Sequence, residues 1–494
     1  MQNLLTAAQT REVDAYTIQN QPIAAINLME QAAMAFVDAF TAEFSDRQQT
    51  IWILCGQGNN GGDGLAITRL LIHLGYINLH VFLSNFSDKS SSDYQQNLKR
   101  LNEGKHQPHI FTDISTLNIA KDDIVIDALL GSGLNKPLTG KYEALATVVN
   151  TSKACVVAVD VPTGFNCEGE IAQNYTGIVA DLVITFQRPK INFFFPESKK
   201  TIKRFKIVSI GLDEQYIESL PSQWKLITET DIRNILKPRE NFSHKGIYGH
   251  VLIVAGDTET MGAALLTSSA ALHTGAGLVT ASIPQSGLTA LNVSLPEVMF
   301  LDREQLEKSD FAKYQSIAVG PGLGVGERQK QLLDLLLNDG KSLVLDADAL
   351  NILSENKELL DKIPAQSIIT PHVKEFDRLF GSHANWWSRV ATAKAKAQEL
   401  QIVIVLKNQY TFVCLPTGDA CINPTGNPAM AQGGMGDVLT GIIASFLAQG
   451  YSAEEAAILG VYLHGKTGHI LAKELGVVNA SILSRHLPKT LKII

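Results

Sequence analysis

The sequence predicts an α/β protein built from two domains. At 494 residues the chain is too long for one ordinary hydrophobic core. Short apolar runs alternate with stretches of helical periodicity in both halves, which is the pattern of strands connected by helices. In each half, a strand-like run leads into a glycine-containing loop and then into a helical stretch, an order typical of ligand sites in α/β folds.

Composition and charge exclude several classes of function. Hydrophobic residues make up 45% of the chain and charged residues 18%, as in soluble globular proteins. No apolar run is long enough to span a bilayer, and Arg11, Glu12 and Asp14 stand where a signal peptide would be apolar. The formal net charge of -7 argues against a nucleic-acid surface. We therefore expect a cytoplasmic protein with neither a membrane nor a nucleic-acid partner.

The cysteines and the basic cluster suggest ordinary structural roles. Five widely spaced cysteines indicate neither a disulfide framework nor a zinc site. Cys55, Cys155 and Cys414 fall in strand-like runs, where we expect small core residues. The lysines and arginine of residues 199–206 are expected on a solvated turn and strand edge.

The N-terminal half begins with a predicted helical segment and continues into a Rossmann-type unit. Apolar positions recur at helical spacing over residues 5–44. The sequence then predicts a buried strand over residues 51–55, a glycine-rich loop over 56–64 and a helix over 65–74. This order is typical of dinucleotide or phosphate sites, although the glycine spacing differs from the common fingerprint.

Two further predicted strands end in aspartate. Residues 124–127 end at Asp127 and residues 155–160 end at Asp160, and another strand is predicted over 182–186. Because ligands of open α/β sheets bind beyond the carboxyl ends of the strands, both aspartates should lie near the glycine loop. Either aspartate could instead only cap the turn that follows it.

These motifs resemble the NAD(P)H-hydrate epimerase family. The resemblance rests on Asn-Asn-Gly-Gly-Asp-Gly at residues 59–64, on Asp127 followed by Gly-Ser-Gly at 131–133, and on Val-Asp-Val-Pro-Thr-Gly at 159–164. It covers about the first 215 residues, and we predict an epimerase domain at residues 1–215.

The resemblance implies site residues for this domain. Asp160 would be catalytic and would contact the substrate near the reacting carbon. A potassium ion would be held by Asn60, Asp127 and Thr163, because oxygen ligands suit such a hard cation. The residues implied to line the hydrated dinucleotide are Asn59, Asn60, Gly61, Gly62, Asp63, Gly131, Ser132, Gly133, Leu134, Asn135, Lys136, Pro137 and Asp160.

A segment of mixed charge over residues 213–237 marks the predicted domain junction. From residue 241 a second series begins, which predicts another α/β domain at residues 222–494 that is not a repeat of the first. A helix is predicted over residues 261–274. Further strands are predicted over 278–283, 316–320, 343–346, 367–370 and 402–406.

Residues 423–437 form the main candidate site of this second domain. Gly433, Gly434 and Gly436 leave backbone N–H groups accessible, and the helix that follows favours a phosphate. Asp437 would repel that phosphate, which makes sense if Asp437 takes a proton from an attacking hydroxyl. The alternative is an ordinary glycine-rich turn in which Asp437 is merely favoured by the helix dipole.

This segment resembles the NAD(P)H-hydrate dehydratases of the ribokinase-like superfamily. Residues 320–324, 346–351, 370–375 and 407–411 match that family at strand ends. The chain departs from the family at Ala429, where glycine is usual, and at Gln432, where threonine is frequent. The predicted fold is therefore a Rossmann-like three-layer domain followed by a ribokinase-like α/β domain.

The second resemblance also implies site residues. Asp437 would be the catalytic base, and the hydrated nicotinamide would contact Ala263, Gly322, His372 and Asp437. A lone histidine is more often a plain hydrogen-bonding residue, so the role of His372 follows from the resemblance alone. Glu375 and Asp348 suit metal or nucleotide contacts and helix capping equally. The residues implied to bind ADP are Lys407, Asn408, Gln409, Tyr410, Thr411 and Gly436.

Together the resemblances imply a bifunctional repair enzyme. It would interconvert the R and S epimers of hydrated NADH and NADPH (NADHX and NADPHX). It would also dehydrate the S epimer while ADP becomes AMP and phosphate, with magnesium accompanying the nucleotide. We also expect a homo-oligomer, a tetramer or larger. Two alternatives are a ribokinase-type vitamin-precursor kinase and an N-terminal half that only binds a ligand or protein.

Overall fold

The computed structural model describes residues 1–21, 23–104, 107–133, 136–308 and 310–494. It divides into two compact units, Asn3–Ser222 and Gln223–Ile494, and Met1–Gln2 group with the second unit. The boundary between Ser222 and Gln223 lies inside the predicted junction segment, residues 213–237.

The N-terminal unit contains a parallel sheet with helices on both faces. After a two-residue strand, β1 (Gln2–Asn3), the strands are β2 (Ile51–Cys55), β3 (Leu79–Leu83), β4 (His109–Phe111), β5 (Ile124–Ala128), β6 (Cys155–Val159), β7 (Leu182–Phe186) and β8 (Phe205–Val208). They pair in the order β4-β3-β2-β5-β6-β7-β8, and every adjacent pair is parallel. The helices are α1 (Ala7–Asn20), α2 (Ala25–Thr41), α3 (Asn59–His73), α4 (Ser92–Asn102), α5 (Lys141–Ser152) and α6 (Glu214–Ser219).

The three layers of this unit follow from the alternation of side chains along each strand. Ile51 and Ile53 of β2 pack into one core with α2, α3 and α4. Trp52 and Leu54 point to the opposite face and pack into a second core with α5. A continuous apolar run is what a strand needs when helices cover both of its faces.

The second unit is a larger α/β domain. Its strands after β1 are β9 (Trp224–Leu226), β10 (His250–Val254), β11 (Leu278–Ile283), β12 (Met299–Asp302), β13 (Ser316–Val319), β14 (Leu343–Leu345), β15 (Ile368–Ile369), β16 (Val403–Leu406), β17 (Thr411–Cys414) and β18 (Ala420–Asn423). The strand order is β1-β9-β18-β17-β16-β15-β14-β13-β10-β11-β12. The sheet is parallel from β12 to β16, and β17 is antiparallel to both β16 and β18.

The helices of this unit are α7 (Glu229–Ile235), α8 (Met261–Thr274), α9 (Leu288–Ser294), α10 (Glu327–Asn338), α11 (Asp348–Glu355), α12 (Val373–Phe380), α13 (Trp386–Leu400), α14 (Met435–Ala448), α15 (Ala453–Leu471) and α16 (Ala480–Ile493). Apolar residues of α8, α14, α15 and α16 form one core against the sheet. α14 begins at Met435, inside the 423–437 segment, and its buried side chains belong to this core.

The helix predicted over residues 65–74 begins earlier than expected. α3 starts at Asn59, and the N–H of Gly62 donates to the carbonyl of Gly58 at 3.1 Å. A Cβ on Gly61 would lie 1.7 Å from the carbonyl oxygen of Gly56, so only glycine fits this contact. Close packing on the end of β2 therefore outweighs the poor helix propensity of the glycines.

Other predicted boundaries also differ from the structure. The helical segment predicted over residues 5–44 consists of two helices, α1 and α2. The strand predicted to include Asp160 stops at Val159, because Asp160 has a left-handed φ of 64°. The strands predicted to reach Gly320 and Asp346 end one residue earlier, at Val319 and Leu345, and Gly320 has a φ of 124°.

The cysteines are free and four of the five are buried, and the basic segment reaches the edge of the first sheet. Cys55 and Cys414 are buried in strands, Cys155 is half-buried, and all five cysteines are free thiols. The basic segment leads into β8, which is the edge strand of the first sheet. Among the described residues, no single helix has both the length and the hydrophobicity to cross a membrane, although the bent pair α1 and α2 meets that test jointly.

Candidate active sites

The N-terminal unit has a cavity of ≈ 460 Å³ at the carboxyl ends of its central strands. Loops that follow β2, β5 and β6 meet there, as parallel pairing of these strands requires. The lining residues are Thr10, Arg11, Asp14, Gly58, Asn59, Asn60, Asp63, Leu129, Leu130, Gly131, Ser132, Gly133, Asp160, Phe186, Lys190, Ile210 and Leu212.

Most of the predicted substrate-lining positions are in this cavity. Gly61 and Gly62 instead lie buried beneath it, where they allow close packing against Gly56 and Met29. Lys136 and Pro137 are exposed and do not line the cavity in the part of the chain that the structure describes. Leu134 and Asn135 fall outside the described residues.

Asp160 is held firmly at the cavity wall. Its Oδ1 lies 2.7 Å from Nζ of Lys190, which is buried. The same oxygen accepts hydrogen bonds from the Thr185 hydroxyl at 3.0 Å and from the N–H of Phe186 at 3.1 Å. A left-handed backbone is costly for aspartate, and these three contacts help to maintain it. The arrangement presents the Asp160 carboxyl group to the cavity in a fixed orientation.

Asp127 of β5 and Thr163 of the loop after β6 connect two of the loops by hydrogen bonds. Thr163 donates its N–H and its hydroxyl to Asp127 at 2.7 Å each. The N–H of Leu130 donates to the Thr163 hydroxyl at 3.0 Å, which joins the loop after β5 to the loop after β6. Burial raises the pKa of Asp127 to about 6, and the hydrogen bonds from Thr163 partly oppose this increase.

The residues implied to hold potassium fit such an ion. The Asn60 amide Nδ2 is buried and has no hydrogen-bond partner within the described residues. Amide nitrogen and oxygen are assigned by their surroundings, and a flipped Asn60 would present an oxygen ligand. Asp127 supplies a buried carboxylate whose ionised form a cation would favour. No cluster of three or more His, Cys, Asp or Glu suited to a metal occurs in the described segments.

Two more carboxylates share the N-terminal cavity. Burial raises the pKa of Asp14 to about 6; Asp160 raises it further and Lys190 lowers it. Burial also raises the pKa of Asp63 well above its usual range, with smaller contributions from Asp160 and Asp14. The sequence analysis did not identify Asp14 or Lys190, because neither belongs to the glycine or strand-end motifs. Their position depends on how α1 and the segment after β7 pack.

In the second unit Asp437 lies in the first turn of α14. Gly434, with a φ of 84°, is the N-cap, so the helix begins within the glycine segment. Burial raises the pKa of Asp437 to about 7; Asp346 and Asp348 also raise it, whereas Lys407 lowers it. A carboxyl with this pKa can exchange a proton near neutral pH.

Asp346 and Lys407 form an ion pair close to Asp437. Nζ of Lys407 lies 2.7 Å from Oδ1 of Asp346, and the Thr440 hydroxyl donates to Oδ2 at 2.7 Å. A Cβ on Gly436 would lie 3.4 Å from Nζ of Lys407, so the glycine loop and this lysine are neighbours. The lysine and the open helix N-terminus together suit a phosphate.

Most of the implied ADP residues lie together near this lysine. Lys407 follows β16, its N–H donates to the carbonyl of Pro371 at 3.0 Å, and Thr411 opens β17. Asn408, Gln409 and Tyr410 form the turn between these strands, which the Thr411 hydroxyl closes by donating to the carbonyl of Asn408 at 3.2 Å.

Ala263 in the first turn of α8 and Gly322 in the loop after β13 lie close together. A Cβ on Gly322, which has a φ of 59°, would lie 2.9 Å from the Ala263 Cβ. Asp348 accepts a hydrogen bond from the N–H of Gly324 at 2.8 Å and therefore braces the glycine loop.

His372 and Glu375 form a capping box at the start of α12. Nδ1 of His372 accepts from the N–H of Lys374 at 3.1 Å, and Glu375 accepts from the N–H of His372 at 2.8 Å. Half of the His372 side chain stays exposed. Burial raises the pKa of Glu375, and Lys407 lowers it. Capping is thus observed for both residues, and Nε2 of His372 lies 3.3 Å from Glu375 Oε1.

The two departures from the dehydratase pattern lie just before this helix. Ala429 is in a short 3-10 helix, Pro428–Met430, and its N–H donates to the side chain of Asn427 at 2.9 Å. Gln432 is exposed. Neither side chain displaces Gly434 from its role as the N-cap.

Comparisons with known proteins match both units. Residues 25–192 match the family described as YjeF-related protein N-terminus, and residues 251–489 match NAD(P)H-hydrate dehydratase. The bifunctional NAD(P)H-hydrate repair enzyme Nnr of Moorella thermoacetica is 34% identical over 503 residues, covering 96% of this chain and 93% of that protein.

Solved structures resemble the second unit. A ribokinase-like superfamily protein from Enterococcus faecalis V583 is 29% identical, with a TM-score of 0.51, and the match covers 56% of this chain and 97% of that chain. An ADP/ATP-dependent NAD(P)H-hydrate dehydratase from Bacillus subtilis, co-crystallised with ATP/Mg2+, is 33% identical, with a TM-score of 0.49 over 55% of this chain and 98% of that chain. With two matched segments in order and 34% identity along nearly its whole length, this chain belongs to the family of bifunctional NAD(P)H-hydrate repair enzymes.

Proposed function

We propose that Asp160 and Asp437 are the catalytic carboxylates of the two reactions of this repair enzyme. The N-terminal unit epimerises NAD(P)HX at C6, and the C-terminal unit dehydrates the S epimer with ADP. The observation that supports this assignment is that each aspartate lies at the carboxyl end of its own sheet, beside a glycine-rich helix start and a lysine.

In the epimerase unit, the cavity would bind the hydrated nicotinamide against Asp160. The ion pair with Lys190 orients this carboxylate toward the cavity, where Asp160 would accept a proton from the substrate. Asn60, Asp127 and Thr163 would hold potassium, which would supply a fixed positive charge in the site. This proposal for potassium is supported by the unpaired Asn60 amide and the buried Asp127 carboxylate.

In the dehydratase unit, Asp437 takes the proton of the C6 hydroxyl as that oxygen attacks the β-phosphorus of ADP. The phosphorus–oxygen bond to AMP breaks, and AMP leaves. Lys407 and the N–H groups at the start of α14 stabilise the charge on the transferring phosphoryl group. Phosphate then leaves C6 and takes the proton from C5, which restores the C5–C6 double bond and releases NAD(P)H and inorganic phosphate. Magnesium would neutralise the phosphate oxygens of the nucleotide.

Two further proposals concern the assembly of the protein and its location in the cell. We propose a homo-oligomer, a tetramer or larger, and a cytoplasmic location. Analytical ultracentrifugation of the full chain tests the oligomer, and a monomer at micromolar concentration would contradict it.

The experiment compares Asp160→Asn and Asp437→Asn in one assay. A mixture of R and S epimers is incubated with and without ADP, and nicotinamide absorbance reports dehydration. Asp437→Asn should lower dehydration by ~10²-fold or more, while ADP binding holds or tightens because a negative charge beside phosphate is lost. Asp160→Asn should dehydrate the S epimer normally but consume the R epimer ~10²-fold more slowly.

Each alternative gives a different result. Near-wild-type dehydration by Asp437→Asn would leave the glycine loop as a binding element only. A stable phosphorylated product without recovery of absorbance would indicate a kinase. Unchanged R-epimer consumption by Asp160→Asn would make Asp160 structural.

A further inference from the structure

We propose that Asp14 is the general acid that works with Asp160 in the epimerase site. This inference rests on the proposed role of Asp160. Asp14 was not identified by any motif, and it lies before the segment matched to the YjeF-related family, which begins at residue 25. Its place in the site is decided by the packing of α1, which contributes Thr10, Arg11 and Asp14 to the cavity.

The geometry places three carboxylates and one lysine around one cavity. Asp160 already has Lys190 as an ion-pair partner at 2.7 Å. Lys190 is buried and its direct ion pair is with Asp160, whereas neither Asp14 nor Asp63 makes an ion pair among the described residues. Two like charges in one enclosed site favour protonation of one of them.

Asp14 suits this role better than Asp63. Asp63 belongs to the glycine-rich start of α3, where burial raises its pKa well above its usual range and so favours its neutral form. Asp14 has a pKa of about 6, which is raised by burial and by Asp160 and lowered by Lys190. An acid with this pKa can both donate a proton and recover it at physiological pH. The charged groups that face Asp14 across the cavity are Asp63, Asp160 and Lys190, with Arg11 beside it on α1.

The chemistry of epimerisation needs an acid as well as a base. C6 of the hydrated ring bears a hydroxyl and is bonded to ring N1. Asp160 takes the hydroxyl proton and a C6–oxygen double bond forms. The C6–N1 bond breaks, its electron pair goes to N1, and Asp14 donates a proton to N1.

The second half of the reaction returns both protons. Rotation about the C5–C6 bond exposes the other face of the aldehyde, and N1 attacks it. The N1 proton returns to Asp14, and the aldehyde oxygen takes the proton from Asp160. No oxidant, reductant or other reactant is needed, and the product is the opposite epimer.

The test compares Asp14→Asn, Asp160→Asn and the exposed control Glu12→Gln, all in the full chain. Glu12 lies on α1 outside the cavity and accepts a hydrogen bond from the Tyr216 hydroxyl at 2.6 Å. The R epimer is supplied with ADP at several pH values, and the uncatalysed epimerisation rate is subtracted. Dehydration of pure S epimer by the same sample shows that the second unit is intact, and circular dichroism with a thermal scan checks the N-terminal unit.

We expect Asp14→Asn to lower kcat for R-epimer consumption by ~10²-fold, with a much smaller change in KM. In the wild type, kcat/KM for the R epimer should fall as the pH rises above about 6, because the acid form of Asp14 is lost. Asp14→Asn should remove that dependence, Asp14→Glu should restore part of it, and Glu12→Gln should keep it.

The outcomes separate this inference from the assignment of Asp160. Wild-type epimerisation by a folded Asp14→Asn, with Asp160→Asn inactive, would overturn the role of Asp14 alone. Wild-type epimerisation by both variants would overturn the proposed site. An unchanged pH profile in a slow Asp14→Asn variant would make Asp14 a structural residue, which also contradicts the proposal.

Discussion

At the scale of single residues, each site holds an aspartate in an unfavourable setting, although the reason differs between the two. Asp437 lies at the glycine-rich start of α14, where burial, Asp346 and Asp348 raise its pKa, and Asp160 has a left-handed backbone conformation. In each case a lysine moderates the cost, at 2.7 Å from Asp160 and, in the second unit, at 2.7 Å from Asp346. Raised pKa values and strained backbone conformations of this kind are frequent at functional sites.

The pKa of Asp437 predicts the pH dependence of dehydration. A general base works when ionised, so kcat/KM for the S epimer should rise with pH and level off above about 7. Removing Lys407 by Lys407→Met should shift this limb upward by ~1 pH unit, because the lysine lowers the pKa of Asp437. Steady-state rates between pH 5 and 9 measure the limb. A limb that stays in place in Lys407→Met would contradict the electrostatic coupling.

At the scale of secondary structure, glycines fix how closely α14 packs on α8. A Cβ on Gly441 would lie 2.1 Å from the carbonyl oxygen of Thr267 in α8. Asp437 lies one turn earlier on α14, so the same contact helps to position the carboxylate that we propose as the base of dehydration.

Gly441→Ala should therefore reduce the free energy of unfolding by about 1–3 kcal/mol, the usual cost of overpacking. Gly262→Ala is the matched control, because its Cβ would meet no atom within 4 Å, and its stability should hold or rise slightly. Urea denaturation of both variants measures the difference. Equal midpoints would show that Gly441 does not set the helix spacing.

At the scale of the whole molecule, each unit has its own sheet, its own hydrophobic cores and its own candidate site. The solved Enterococcus protein matches 56% of this chain over 97% of its own length, so nearly all of that chain is accounted for by slightly more than half of this one.

The fragment 223–494 should accordingly dehydrate the S epimer with ADP and leave the R epimer in solution. Absorbance recovery from a mixture of epimers should stop when S is consumed and proceed only by spontaneous epimerisation. Addition of the full-length Asp437→Asn variant, which retains the epimerase unit, should restore complete recovery. Complete recovery by the fragment alone would mean that the second unit accepts both epimers.

The sequence by itself determined the two α/β units, the positions of several of their strands along the chain and the loops that carry the motifs of each candidate site. Glycine loops, strand-end aspartates and apolar runs are local signals, because they reflect backbone freedom and burial along consecutive residues. The family followed from the same motifs. These signals located Asp160 and Asp437 without any knowledge of packing.

Only the tertiary structure decided the residues that complete the sites and the true starts of the helices. Asp14 reaches the epimerase cavity because α1 packs beside it, and Lys190 pairs with Asp160 across 30 positions of sequence. α3 starts at Asn59 because Gly61 fits against Gly56, a contact that overrides the low helix propensity of glycine. The pKa of Asp437 likewise depends on Asp346, Asp348 and Lys407, which different strands bring together. Burial and charge proximity are properties of the packed chain, so no local pattern encodes them.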